Sequence, residues 1–300
     1  MDLRIEPGEP LPHAIRRLAQ GELGEAHDAA GDRRRQLGTR VHDVRTAVKK
    51  LRALNRLVRP RLGRPARHAD RRLRAIAHAV APLRDDDVVL KTFDRVIDGV
   101  DKPMRTALAG LRARLAARLA ARSRAFGEDE RVRELRAQIE HERRGIGDWT
   151  PNENRWRAID DGFKRGYRRA REAMAAAYRS ESGTAFHTWR RTVKTHRHQV
   201  AALQPIAPGR LTARVSQLDR LGELLGNEHD LTVLEQAIRR ERSRIPDQRQ
   251  LERLLRLVVE HRALLRRRAR PLGLRLFAEA PSVFRDRAKR DFRRFRQRSR

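Results

Sequence analysis

The sequence contains no cysteine, which excludes disulfide bonds and cysteine-ligated metal sites. It also lacks long apolar runs. No stretch approaches the roughly 18 apolar residues that a transmembrane helix requires. The first 40 residues contain no apolar segment of the kind that begins a secretory signal. These absences predict a cytoplasmic protein.

Aromatic residues and catalytic motifs are scarce as well. Only 13 of the 300 residues are aromatic, which leaves few stacking platforms for single-stranded nucleic acid. The sequence has no GxSxG, HExxH, phosphate-binding loop or dinucleotide-binding glycine motif. His196 and His198 stand two positions apart and would diverge on a helix, so they form a weak metal pair. We therefore expect no enzyme activity, no cofactor and no metal site.

Arginine is abundant. The chain has 64 arginines and seven lysines against 39 acidic residues, for a formal net charge of +32. Such an excess opposes compaction unless an anionic partner compensates it. Nucleic acid, an anionic membrane and an inorganic polyanion are the candidate partners.

A basic segment occurs twice without a gap. VHDVRTAVKKLRALNRLVRP covers 41–60, and FHTWRRTVKTHRHQVAALQP covers 186–205, which lies 145 positions later. The matched pairs are His42/His187, Arg45/Arg190, Val48/Val193, Lys49/Lys194, Arg52/Arg197 and Pro60/Pro205. The same offset pairs Leu73 with Leu218, Asp85 with Asp230 and Val88 with Val233. This register predicts an internal duplication of a helical unit.

The spacing within each copy predicts a helix with two different edges. At about 100° per residue, the basic positions of the first copy fall within an arc of roughly 80°. They are His42, Arg45, Lys49, Arg52 and Arg56. The apolar positions lie off this arc and can face a core; they are Val44, Val48, Leu51 and Leu54, and in the second copy Val193, Val200 and Leu203. Two such cationic helices would repel each other unless they share a polyanion.

The remaining chain is predicted to be helical, within a single domain over 1–300. The first half covers 10–144, GIGDWTPNENR at 145–155 has the composition of a linker, and the second half covers 156–300. Helices are expected near 11–29, 41–60, 67–80, 85–97, 103–124, 128–144, 156–178, 186–205, 208–226, 229–244 and 247–269, with a basic segment at 279–300. No strand periodicity is evident.

The ordered motifs resemble the CHAD domain, the conserved histidine α-helical domain. The first half carries VHDVRTAVKKLR and RDDDV, the second carries FHTWRRTVKTHR and LGNEHDLTV, and PLGLRLFAEAPSVF resembles the closing segment of the family. The resemblance covers roughly residues 5 to 295. It implies two pseudo-symmetric four-helix bundles with a basic cleft or pore between them. It also implies binding of inorganic polyphosphate and association with polyphosphate granules. Since no CYTH domain is visible, the chain looks like a stand-alone member.

By matching position, the resemblance implies a set of polyphosphate-binding residues, to which the helical arc adds Arg56. They are His42, Arg45, Lys49, Lys50, Arg52, His187, Arg190, Arg191, Lys194 and Arg197. The chain departs from the family in two respects. Lysine replaces arginine at the later basic positions of both segments, and His229 replaces an arginine. Asp85 and Asp230 are either carboxylates that hold arginines of the two basic segments in position or helix caps. The Asp85–Asp87 run is spaced unfavourably for a magnesium–diphosphate site.

Other interpretations stay open at this point. The basic edges could be solvated faces, and His42 and His187 could be neutral structural groups. Non-specific nucleic-acid binding is the principal alternative function. In the terminal segment, Phe292 and Phe295 could insert weakly into an anionic membrane. Polyphosphate, with other polyanions as further candidates, is the expected partner.

Overall fold

The chain is folded almost entirely into helices. The computed structural model describes residues 3–126 and 129–298, except for the side chains of residues 82–84, 126 and 129. Over these residues the chain forms eleven α-helices and four short 3₁₀ helices, and no strand. The α-helices are α1 (Leu11–Gly31), α2 (Leu37–Leu62), α3 (Arg64–Ala79), α4 (Ala81–Asp98), α5 (Lys102–Phe126), α6 (Asp129–Arg144), α7 (Asp160–Ser180), α8 (Gly183–Ala202), α9 (Pro208–Arg240), α10 (Gln248–Leu276) and α11 (Pro281–Arg298). The predicted all-α fold is confirmed.

The two basic segments form α2 and α8, and their apolar edges face the interior. Val44 and Leu54 of α2 and Val193 and Val200 of α8 are each no more than 1% exposed. The two helices pack against each other and against α7. Their burial fixes which edge of each helix remains available to a ligand.

One predicted break between helices does not form. The sequence places a boundary between Gly226 and His229, whereas α9 continues through these positions for 33 residues. Leu225 and Leu231 are buried on either side of the predicted break, so tertiary packing outweighs the weak helix propensity of glycine and asparagine. The segment of the first half at the same offset does break, between α3 and α4, where Pro82 lies in the first turn of α4.

Both halves of the chain contribute to both hydrophobic cores. The major core combines α1, α2, α3, α6, α7 and α8 with the first part of α9, the end of α10 and α11. The minor core combines α4 and α5 with the second part of α9 and the first part of α10. The order of the helices is compatible with the expected duplication, which stays a prediction. The boundary between the halves is not a boundary between cores.

The segment at 145–155 packs into the protein. Ile146 and Trp149 lie in a 3₁₀ helix and are 2% and 0% exposed. The indole of Trp149 donates a hydrogen bond of 3.0 Å to the buried Glu142 carboxylate, which also binds Arg72. The segment therefore connects the halves through core contacts. The division of the chain at this segment stays a prediction.

The aromatic residues of the terminal helix face inward. Phe292 is 4% exposed, and its ring centroid lies 5.6 Å from that of Trp156. Phe295 packs, partly buried, against the major core. These contacts contradict the interpretation that the two rings insert into a membrane, because they already stabilise the attachment of α11. None of the described helices has the length and apolarity needed to cross a bilayer.

The approach of α7 to α2 depends on a glycine. A Cβ atom added to Gly162 would overlap the backbone carbonyl group of Leu57. Only glycine therefore allows α7 to lie this close to the backbone of α2. The contact places the arginines of α7 beside those at the end of α2.

Candidate functional site

A cleft of about 910 Å³ lies among α2, α4, α5, α8 and α9. Its walls include three pairs of basic residues that are related by the 145-residue offset. The pairs are His42 and His187, Arg45 and Arg190, and Lys49 and Lys194. Each triplet has the spacing i, i+3, i+7, which places its members on one side of a helix. The two basic edges thus meet at one concave surface.

Basic side chains outnumber acidic ones in the cleft. Among the described side chains, eight arginines and lysines and five aspartates and glutamates line it, which leaves a formal charge of +3 with the histidines neutral. The basic residues are Arg45, Lys49, Arg118, Arg122, Arg190, Lys194, Arg197 and Arg240, and the acidic residues are Asp85, Asp86, Asp219, Glu223 and Asp230. A concave, positively charged wall of this kind attracts and concentrates anions.

A histidine pair links α8 to α9 inside the cleft. The Nδ1 atoms of His187 and His229 are 3.1 Å apart, so one ring donates a hydrogen bond and the other accepts it. Burial, followed by the charge of Arg190, lowers the pKa of His229 to about 3. Burial and the same arginine also lower the pKa of His187. Both rings are therefore neutral near pH 7 when the cleft holds no anion.

Arg197 is fixed between a carboxylate and a histidine. Its Nε and Nη2 atoms donate hydrogen bonds of 2.7 and 2.9 Å to the two carboxylate oxygens of Asp219. Its Nη1 atom lies 3.3 Å from Nδ1 of His198, which accepts a hydrogen bond in this geometry. Burial first, then the charges of Arg197 and nearby lysines, lower the pKa of His198 to about 3. This network holds one end of the basic edge of α8 in place.

Two further basic residues come from α5. Nε of Arg118 and Nε of Arg122 lie 2.9 and 2.8 Å from opposite oxygens of the buried carboxylate of Asp86. Neither arginine is among the binding residues predicted from the sequence. Their spacing of four residues, continued from Arg114, puts them on one helix face and could have indicated another basic edge.

Seven of the eleven predicted binding residues line the cleft. They are His42, Arg45, Lys49, His187, Arg190, Lys194 and Arg197.

The other four predicted residues lie outside the cleft. Lys50 turns toward α1, where its Nζ atom lies 2.8 Å from the buried carboxylate of Glu22. Arg52 donates a 2.8 Å hydrogen bond to Asp70 of α3. Arg56 and Arg191 line a different pocket. The single arc predicted on α2 therefore divides, because α3 and α8 cover its later turns.

The alternative that Asp85 and Asp230 cap helices is wrong, whereas a supporting role for their carboxylates stays a prediction. Asp85 lies inside α4, which begins four residues earlier than expected, and Asp230 lies within the continuous α9. Both residues line the cleft, where their charges reduce its positive potential. The side chain of Arg84, which the sequence pairs with His229, lies outside the described side chains.

The two neighbouring histidines of α8 are separated in space. His196 is fully buried, and its ring lies against the rings of Phe163, Tyr167 and Phe284. Burial lowers its pKa well below the usual value. His198 instead lines the cleft. In agreement with their spacing, the two rings do not face a common point.

Comparisons with known proteins agree with the resemblance in the motifs. A family model described as the CHAD domain matches residues 17–239, which include both basic segments. Among solved structures, the chain is similar to the crystal structure of the CHAD domain from the plant Ricinus communis. The TM-score is 0.58 at 14% identity, over 91% of this chain and 93% of that chain. No curated protein matches the chain. Its sequence and fold together show that the chain belongs to the CHAD domain family.

Proposed function

We propose that the cleft binds inorganic polyphosphate. CHAD domains as a family are associated with polyphosphate binding. One observation carries the proposal for this chain: three pairs of basic residues, related by the 145-residue offset, line the same concave surface. The pairs are His42 and His187, Arg45 and Arg190, and Lys49 and Lys194. Two edges of the same sign are brought together there, as recognition of a polyanion requires.

The chemistry of the cleft suits a chain of phosphates. Polyphosphate presents repeated negative charge and oxygen atoms, without bases, sugars or apolar faces. Arginine can hold two phosphate oxygens at once, and lysine supplies a mobile point charge. The cleft offers both types from two opposed helices. The pair formed by Arg197 and Asp219 is already satisfied, so it serves best as a rigid wall.

The histidines can respond to a bound polyanion. Neutral His187 and His229 add no repulsion while the cleft is empty, and a polyanion favours their protonated forms. Each imidazolium donates from both ring nitrogens. Protonation of both rings breaks the hydrogen bond between them, because both Nδ1 atoms then carry hydrogen, whereas protonation of one ring leaves a donor and an acceptor. Binding should therefore take up protons and reorient this pair.

Nucleic acid is the competing ligand, and the positions of the aromatic residues disfavour it. All three tryptophans are buried, with Trp156 the most exposed at 4%. Tyr167 and Phe163 are buried in the same core. The described part of the cleft therefore lacks the aromatic platforms on which single-stranded bases stack. Binding to the phosphate backbone of a nucleic-acid duplex is therefore the alternative that an experiment has to distinguish from polyphosphate binding.

Association with polyphosphate granules follows from the proposal. Granules present a dense polyphosphate surface, and the net charge of +32 would steer the protein toward it. Other polyanions would bind more weakly if the paired edges match the spacing of phosphates in a linear chain.

A competition titration tests the proposed function. Long-chain polyphosphate and duplex DNA compete for the full chain at about 150 mM salt, where generic attraction is screened. The test variant is Arg45→Gln with Arg190→Gln. The control is Arg71→Gln with Arg249→Gln, which removes two charges from exposed positions outside the cleft.

We expect polyphosphate to displace DNA from the wild type and from the control. Two lost charge-assisted contacts, each contributing about 1.5 kcal/mol, weaken polyphosphate binding about 100-fold in the test variant. Equal affinity for DNA per charge, with no difference between the two variants, would refute the proposal and leave only a generic positive field.

A further inference from the structure

A second basic pocket lies where α2, α7 and α8 meet. Its volume is about 230 Å³, and it opens on a different face of α8 from the cleft. Within the described part of the chain, five arginines line it and no carboxylate does. They are Arg56 and Arg59 of α2, Arg165 and Arg169 of α7, and Arg191 of α8. Five positive charges around a small volume create a local field that attracts an anion.

The innermost arginine is held in place. Nη1 of Arg56 donates a 2.8 Å hydrogen bond to the hydroxyl of Thr195, and that hydroxyl donates in turn to the carbonyl of Arg191. Burial lowers the pKa of Arg56 to about 10, with further lowering by the charges of Arg52, Arg59 and Arg191. The neighbouring Asp70 does not offset this effect fully. The pocket thus holds a desolvated cation whose surroundings disfavour its charge.

Three arginines at the rim lack carboxylate partners. Arg165, Arg169 and Arg191 are exposed, and none forms an ion pair with another residue in the described part of the chain. Arg165 and Arg169 stand four positions apart on α7, where two like charges destabilise a helix. A bound anion would convert this repulsion into attraction.

The rest of the pocket leaves recognition to the guanidinium groups. The hydroxyls of Thr188, Thr192 and Thr195 already donate to backbone carbonyls of α8. Gly166 provides space beside Gln199, since an added Cβ atom would overlap the amide oxygen. The pocket is therefore open, and its available donors are cationic.

The three arginines that the second half contributes to the pocket have no basic counterparts in the first half. At the offset of 145, Arg165 corresponds to Gln20, Arg169 to Gly24 and Arg191 to Thr46, so the first half has no equivalent cluster. The paired residues of the cleft do not include these arginines. The second pocket is thus not a by-product of the repeat that produces the cleft.

We propose that this pocket is a separate site for a compact phosphate anion. The volume of about 230 Å³ equals about eight water molecules at roughly 30 Å³ each, which is enough for one or two phosphate groups. The ligand is orthophosphate, diphosphate or the terminal group of a polyphosphate chain. The proposal is independent of what the cleft binds.

Diphosphate binding to the full chain tests the site. Isothermal titration calorimetry at about 150 mM salt compares the wild type with Arg165→Gln/Arg169→Gln. The matched control, Arg168→Gln/Arg179→Gln, removes two exposed charges from the same helix outside the pocket. We expect the pocket variant to bind at least about tenfold more weakly, and the control to bind like the wild type. Equal weakening in both variants would overturn the proposal.

The cleft variant Arg45→Gln/Arg190→Gln separates this proposal from the proposed function. It should bind diphosphate like the wild type even where it loses long-chain polyphosphate. If it loses diphosphate and the pocket variant does not, the anion belongs to the cleft and the second site is refuted. The proposal for the cleft would survive that result.

Polyphosphate with free ends and polyphosphate with esterified ends identify the source of the anion. If the site takes a chain end, esterification abolishes the advantage of the wild type over the pocket variant. If it takes a free anion, diphosphate alone separates the two proteins. Both results support the site. An absence of any difference between wild type and pocket variant, with diphosphate and with both polyphosphates, overturns it.

Discussion

Acid should destabilise this protein through His198. The ring lies in the wall of the cleft, and its Nδ1 atom accepts a hydrogen bond from Arg197. Its pKa in the folded protein is about 3, against an ordinary value of 6.5. As the pH falls below 6.5, the unfolded chain binds a proton that the folded protein does not. The stability contributed by the neutral ring is complete above pH 6.5 and is lost as the pH falls toward 3.

The magnitude follows from the pH interval. pH 5 lies about 1.5 units below the ordinary histidine pKa of 6.5. Protonation therefore stabilises the unfolded state by about 1.5 times roughly 1.4 kcal/mol at that pH. The wild type should therefore lose at most about 2 kcal/mol through His198 between pH 7.5 and pH 5, less to the extent that solvent reaches the ring edge.

Urea unfolding at the two pH values measures this loss. The glutamine in His198→Gln does not titrate, so this variant does not lose the stability that the wild type loses through His198. The difference in unfolding free energy between wild type and variant should therefore be about 1–2 kcal/mol smaller at pH 5 than at pH 7.5. His68→Gln, at an exposed position of α3, is the control and should show no such narrowing. If His198→Gln loses as much stability as the wild type over this interval, the ring is not held neutral and the reasoning fails.

Three further predictions follow from the cleft and the packing. Polyphosphate affinity should rise as pH falls from about 8 to 6 and continue to rise below 6, because the pKa of His187 is lowered in the free protein and raised by the ligand; a flat profile in titrations across this range would contradict it. Gly162→Ala should lower the free energy of unfolding in urea by about 3 kcal/mol, because the new methyl group overlaps the backbone of α2. In the control, Gly24→Ala, the methyl group meets no atom, so the substitution should be neutral or slightly stabilising. Glu228→Gln should lower the free energy of unfolding by about 3 kcal/mol, because the carboxylate is 1% exposed and accepts a 2.6 Å hydrogen bond from Arg266. A loss below about 1 kcal/mol in the same urea assay would refute the structural role of Glu228.

The sequence predicts the edges of α2 and α8 well. Helical spacing separates Arg45 and Lys49 from Val44 and Val48, and the structure places the first pair in the cleft and the second in the core. This succeeds because both edges depend on the period of a single helix.

Contacts between helices were harder to predict. Lys50 follows Lys49 directly, yet it faces Glu22 of α1, and Arg52 belongs to the predicted arc, yet it binds Asp70 of α3. The neighbours of a surface cation depend on which helix lies beside it, and a single-helix argument contains no such information.

The carboxylates that hold Arg52 and Arg197 illustrate the same limit. Asp70 follows Arg52 by 18 positions, whereas Asp219 follows Arg197 by 22. The two partners differ by about one helical turn, so the ungapped offset of 145 does not pair them. Their shared role becomes visible only when the helices are packed.

The long helix α9 affects how the molecule comes apart. Its 33 residues extend about 50 Å at 1.5 Å per residue, and its two ends belong to different hydrophobic cores. Melting of either core would strip packing from the helix on which the other depends. The protein should therefore unfold cooperatively rather than core by core, and neither half of the chain should fold on its own. A polyanion bound beside α9 would stabilise the whole molecule at once.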